Sequence, residues 1–263
     1  MRAEAVAEQP KSIVKEAVAY LAAITCAEIV TMFLHPLWGV VGHTIIMAML
    51  IVRAARSSDR YHQQLALSLT ILPLIRIIDL SLILSLIQVT PILRFPIIYA
   101  PPLVGGFMVM RLLGYKRSEV GLTLGPLRSV PLQLGIASSG FLLGWLEYLI
   151  LKPEPMVSQL SWTVVLPIAL MLVATTGFVE EFIFRGVLQR AAAESIGGWR
   201  GIIYVSVLFA VMHMGFQSWI DVLFVFAVAM FFAWVVKRTG SLLGVTLAHG
   251  ITNVMLFLVI PFL

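Results

Sequence analysis

The sequence predicts an all-α protein, a polytopic bundle of transmembrane helices. Three observations carry this. The first is composition: 60% of the 263 residues are hydrophobic and only 12% charged, with a mean hydropathy of +1.00. Soluble domains carry roughly 45–50% apolar and about 25% charged residues, so this chain lacks the solvated surface that keeps a globular domain in water. The second is that the apolar residues come in runs of about 20, the length needed to cross a bilayer core as a helix. The third is the distribution of basic residues. With the N-terminus inside, every Lys and Arg except Arg76, Arg94 and Lys152 falls in an inside segment or an adjoining helix end, the asymmetry of the positive-inside rule.

Nine spans are expected, at about residues 17–34, 37–54, 65–88, 95–112, 129–150, 161–188, 200–216, 219–236 and 241–260. Eight is the alternative, if residues 17–54 form one long tilted or broken helix. The breaks are His35-Pro36, the polar run 57–64, Thr90-Pro91, a basic loop from Gly114 to Arg128, the segment 152–161, Gly197-Gly198, Gln217-Ser218 and Thr239-Gly240. No internal repeat stands out. The opening MRAEAVAEQPKSIVKEA is polar and helix-prone. No cleavable signal peptide is expected there, and residues 1–16 form an amphipathic segment suited to the inner leaflet. Trp145, Trp162, Trp219 and Trp234 lie near span ends, as interfacial belts do. The single cysteine, Cys26, excludes an internal disulfide. The net charge of +5 is spread in short clusters between apolar runs, a poor match to nucleic-acid binding.

Ionisable groups at membrane depth are costly and mark function. Here they are Glu28, His43, Arg76, Asp79, Glu180, Glu181, Arg185, His213 and His249, with Asn253 as a polar neutral; Glu147 and Asp221 are read as near enough to span ends to reach water. Arg76 and Asp79, three apart, are expected to pair, the sharper alternative being an Arg76 that reads a substrate carboxylate. Glu28 calls for a base on another helix, and His43 reads as a packing residue. Gly135, Gly140 and Gly144 suit a close helix approach.

In TTGFVEEFIFRGVL, adjacent Glu180 and Glu181 point about 100° apart on a helix. Glu181 and Arg185 share a face four residues apart, which leaves Glu180 free for chemistry. The plainer alternative is a helix-end ion pair in headgroup water. His213 stands alone in LFAVMHMGF, where a histidine often only packs. His249 and Asn253 are four apart in LAHGITNVM, where such pairs often only bond between helices. Depth links them: all three lie on the order of 12–20 Å from the inner boundary at 1.5 Å per residue. A glutamate in a low dielectric can serve as general base toward water. His213 would orient that water, and His249 with Asn253 would offer donors to an oxyanion.

Glu180, Glu181 and Arg185 (EExxxR), Phe209 and His213 (FxxxH), and His249 and Asn253 (HxxxN) occur in the order found in the CAAX prenyl protease family, also called CPBP. The segment RTGSLLGVTLAHGITN resembles that family's last motif region. The resemblance covers about residues 125–260, so 125–263 reads as a CPBP-like protease core and 17–124 as N-terminal transmembrane helices of unassigned role. It implies an intramembrane glutamic endopeptidase with catalytic Glu180, His213, His249 and Asn253 and supporting Glu181 and Arg185.

The function expected is hydrolysis of a peptide bond within the membrane layer, in a cavity open to the cytoplasmic side. The activity is CAAX-processing-like or peptide- and bacteriocin-maturation-like. The alternative is a non-catalytic membrane subunit that reuses the protease fold; a transporter would be expected to show inverted repeats, which are absent. No cofactor is expected. Zinc at Glu180, His213 and His249 is the minor alternative, without the HExxH spacing that often anchors such sites. The partners implied are the lipid bilayer, a membrane-associated peptide or prenylated-protein substrate, and a membrane-protein partner, with no nucleic acid among them. The location implied is the plasma (inner) membrane, multi-pass, with the N-terminus cytoplasmic.

Overall fold

The computed structural model describes residues 11–85 and 89–263. Among the described residues all regular structure is helical: α1 (Lys11–Phe33), α2 (Pro36–Arg56), α3 (Arg60–Leu69), α4 (Ile71–Leu84), α5 (Pro91–Leu112), α6 (Val130–Leu151), α7 (Trp162–Leu172), α8 (Gln189–Ile196), α9 (Gly198–Val211), α10 (Trp219–Thr239) and α11 (Leu243–Val254). Several join end to end. α3 and α4 form one segment, Arg60–Leu84, and α7 runs through two π-helical stretches into α8 as one segment, Trp162–Ile196. Among the described residues, eight segments are long and apolar enough to cross a membrane. α1 is a ninth long helix, so each expected run corresponds to a helix and the eight-or-nine question narrows to how α1 sits. The amphipathic segment expected at 1–16 falls mostly outside the described residues; its end, from Lys11, begins α1.

Local chemistry explains the breaks. His35 ends α1 from α2: its Nδ1 accepts from the Leu37 N–H at 3.2 Å, with Pro36 at the first helical position. Asp59 caps α3 by accepting from the Tyr61 N–H at 3.0 Å. α10 ends on Gly240 at φ 67°, a left-handed cap that glycine adopts without strain.

The first helices are joined by buried charge. Arg76 holds Glu28 of α1 through two bonds, 2.6 and 2.7 Å, and Asp79 at 2.9 Å. His43 of α2 lies 3.0 Å from the same Glu28, and Arg94 of α5 reaches Asp79 at 2.9 Å. The expected Arg76–Asp79 pair is present, and the base that Glu28 called for is Arg76. His43 belongs to this network rather than packing alone. Because Glu28 and Asp79 engage its guanidinium, Arg76 is not free to read a substrate carboxylate.

α11 sits at the centre of the second half, held on two sides by close backbone approach. A Cβ on Gly140 would stand 2.3 Å from the Ala248 carbonyl oxygen, and one on Gly144 2.6 Å from that of Thr252. On another side, a Cβ on Gly177 would meet the Thr246 carbonyl at 2.7 Å, and one on Gly250 would meet Val173. Gly135 faces open space, so two of the three α6 glycines form the contact. Small residues are what bring helices together in lipid, where apolar burial supplies no drive. Gly140→Val is therefore expected to lower the thermal unfolding temperature in detergent and to cost about 1–3 kcal/mol. Gly135→Val, read by the same melt, is expected to be silent.

Candidate active site

Glu180 is the last residue of one π-helical stretch, Val173–Glu180, and Glu181 separates it from a second, Phe182–Leu188. Such distortions recur at functional sites because they re-aim side chains that a regular helix would direct elsewhere. Glu181 is fully buried. Its Oε1 accepts from Arg185 Nη1 at 2.9 Å and from His249 Nδ1 at 2.8 Å. The i,i+4 pairing expected from the sequence is present, and the same carboxylate also orients the histidine of α11. A carboxylate only accepts, so Nδ1 of His249 carries the hydrogen and Nε2 faces the site.

Glu180 points elsewhere. Its Oε1 accepts from the Tyr99 hydroxyl of α5, and its Oε2 stands 3.9 Å from His249 Nε2. That separation is too long for a hydrogen bond and short enough for one water to touch both atoms.

Phe209 explains the FxxxH spacing. Its carbonyl accepts from His213 Nδ1 at 2.8 Å, so Nε2 of His213 is left as an acceptor. Its ring lies 4.1 Å under the Arg185 guanidinium, a cation–π contact that shields the buried charge. Asn253 donates from Nδ2 to Thr176 Oγ1 at 2.8 Å, which fixes its amide and leaves its second N–H and its oxygen available.

His213, His249 and Asn253 line one small cavity of about 30 Å³, room for a water. Phe209, Phe232 and Glu147 complete much of its wall. His213 follows the last turn of α9, and Glu147 and Val225 lie toward the C-terminal end of α6 and the N-terminal end of α10. The cavity thus belongs to the half of the bundle that carries the 152–161 and 213–218 connections. The three motifs meet at one depth: Glu180 stands beside His249, and His213 shares the cavity with His249 and Asn253.

Two parts of the site had no sequence assignment. Tyr99 comes from the N-terminal helices and is held by Phe95, stacked at 6.2 Å between ring centroids. A lone hydroxyl in the apolar run RFPIIYAPP was the signal available. Glu147 was read as reaching water but is buried on the cavity wall; it lies on the face of α6 that carries Gly140 and Gly144, one turn on. Tyr99→Phe is expected to lower kcat for peptide cleavage by about tenfold with little change in KM, the loss of one bond to a charged group being about 1.5–3 kcal/mol.

Residues 161–255 match the Rce1-like family. The matching description is type II CAAX prenyl endopeptidase Rce1-like. Neither a curated protein nor a solved structure matches the chain. All seven residues of the three motifs fall inside the Rce1-like match. The family is one of peptidases, and with eight helices fit to span a bilayer among the described residues the chain is a multi-pass membrane protein. As for metal, no three His, Cys, Asp or Glu side chains among the described residues stand together as a ligand set.

Proposed function

We propose that the protein is an intramembrane endopeptidase that hydrolyses a peptide bond with a water activated by Glu180. The observation that carries this is the 3.9 Å gap between Glu180 Oε2 and His249 Nε2, beside a cavity that His213 and Asn253 also line. The water loses its proton to Glu180 as its oxygen bonds to the scissile carbonyl carbon. Nε2 of His213 accepts a hydrogen bond from the same water and orients it. The developing oxyanion takes the free N–H of Asn253, with His249 as second donor in its protonated form, for which Glu181 is the counter-ion. Arg185 keeps Glu181 ionised and in place.

The substrate class is a membrane-associated peptide or prenylated protein, and the enzyme works in the inner membrane with its N-terminus cytoplasmic and without a cofactor. Support for the substrate comes from the family match; support for the orientation comes from the basic residues. The test is cleavage of an internally quenched farnesylated CAAX-type peptide, and of an unlipidated apolar control, by proteoliposomes of wild type, Glu180→Gln and Glu181→Gln. Full activity in Glu180→Gln removes this reading and favours a non-catalytic subunit.

A further inference from the structure

Two carboxyl groups beside the site have no part in the mechanism above. Glu147 of α6 is 7% exposed and lines the cavity with His213, His249 and Asn253. It has no hydrogen-bond or ion-pair partner among the described residues. Asp221, in the first turn of α10, is 0% exposed, and both its carboxyl oxygens lack partners. It lies on the α10 face that continues through Phe224, Val225, Val228 and Phe232 along the cavity. The helix N-terminus supports a negative Asp221, but nothing comparable supports Glu147. Buried carboxyls are normally paired with a cation; one left without a cation retains its proton, and a second unpaired carboxyl on the helix face that lines the same cavity favours this further. A structural pair would be expected to bond to something, and these do not.

We infer that Glu147 is a second catalytic carboxyl, the proton donor to the leaving amine, and that Asp221 keeps it charged with that proton. This rests on the reading of Glu180 as the base. In the first step Glu180 takes the water proton, the water oxygen bonds to the carbonyl carbon, and the carbonyl π pair moves to the oxygen. In the second that pair re-forms the C=O bond, the C–N bond breaks, and the nitrogen takes the Glu147 proton. The products are an acid and an amine. Glu180 has gained one proton and Glu147 has lost one, and transfer through a cavity water restores both.

The test turns on the leaving group. An alkoxide leaves with far less need of protonation than an amine, so a general acid matters for amides and little for esters. Wild type, Glu147→Gln, Asp221→Asn and Glu180→Gln are compared in proteoliposomes on the farnesylated peptide and on its depsipeptide analogue, which has an ester at the scissile position. Glu147→Gln is expected to slow amide cleavage about 10²-fold and ester cleavage less than about threefold, with Asp221→Asn showing a smaller loss of the same selectivity. The ester-to-amide ratio within one preparation does not depend on how much protein has folded. Equal losses on both substrates, or no loss on either, overturn the inference. Glu180→Gln is expected to lose both activities, and if it retained both, the base assignment would fail independently of Glu147.

Discussion

Glu180→Gln is expected to lower kcat on a peptide substrate by about 10²–10⁴-fold while leaving the thermal unfolding temperature nearly unchanged. The amide is isosteric with the carboxylate, and its oxygen still accepts from Tyr99, the one hydrogen bond that Glu180 receives among the described residues. What disappears is an atom able to take a proton from water beside His249. Glu181→Gln is expected to behave differently. Its Oε1 holds both Arg185 and His249, so removing the charge leaves a buried guanidinium unpaired and frees the α11 imidazole. Activity and unfolding temperature then fall together. Kinetics on both variants, with a melt on each, separates a group that performs chemistry from one that positions it.

The second large effect is expected at Arg185. Arg185→Met removes the cation that neutralises a fully buried Glu181, and breaking such a pair from one side costs about 3–5 kcal/mol. The guanidinium also lies against Phe209, so the loss reaches the turn that carries His213. The double variant Glu181→Leu/Arg185→Met is expected to regain much of the stability, because an apolar pair of similar volume replaces two desolvated charges. It is not expected to regain activity, because His249 Nδ1 then has no acceptor. A double variant that melts as low as Arg185→Met would show that the pair is not the source of the loss.

These expectations show where the sequence was informative. Helix position was readable because hydrocarbon demands long apolar runs, and each expected span has its helix. The Glu181–Arg185 pair was readable because it is a contact within one helix. Glu147 was misplaced for the same kind of reason. Counted from a span end, it lies close to water, but the depth at which a neighbour covers that end is a property of the neighbour. Gly140 and Gly144 draw α6 onto α11 and bury Glu147 beside His249. The Tyr99–Glu180 contact was out of reach, since it joins residues 81 apart in sequence through a region with no motif to mark it.

The chain's order alone therefore settles that this is a bundle of membrane helices bearing three polar motifs at a common depth. That follows from composition and from periodicities along single helices, which need no partner to be read. Which end of the bundle holds the cavity, which imidazole nitrogen faces it, and which carboxylates share it were decided only by tertiary structure. Each depends on the rotation of one helix against another, and that rotation is set by backbone approach at Gly140, Gly144, Gly177 and Gly250 and by buried charge pairs between distant segments.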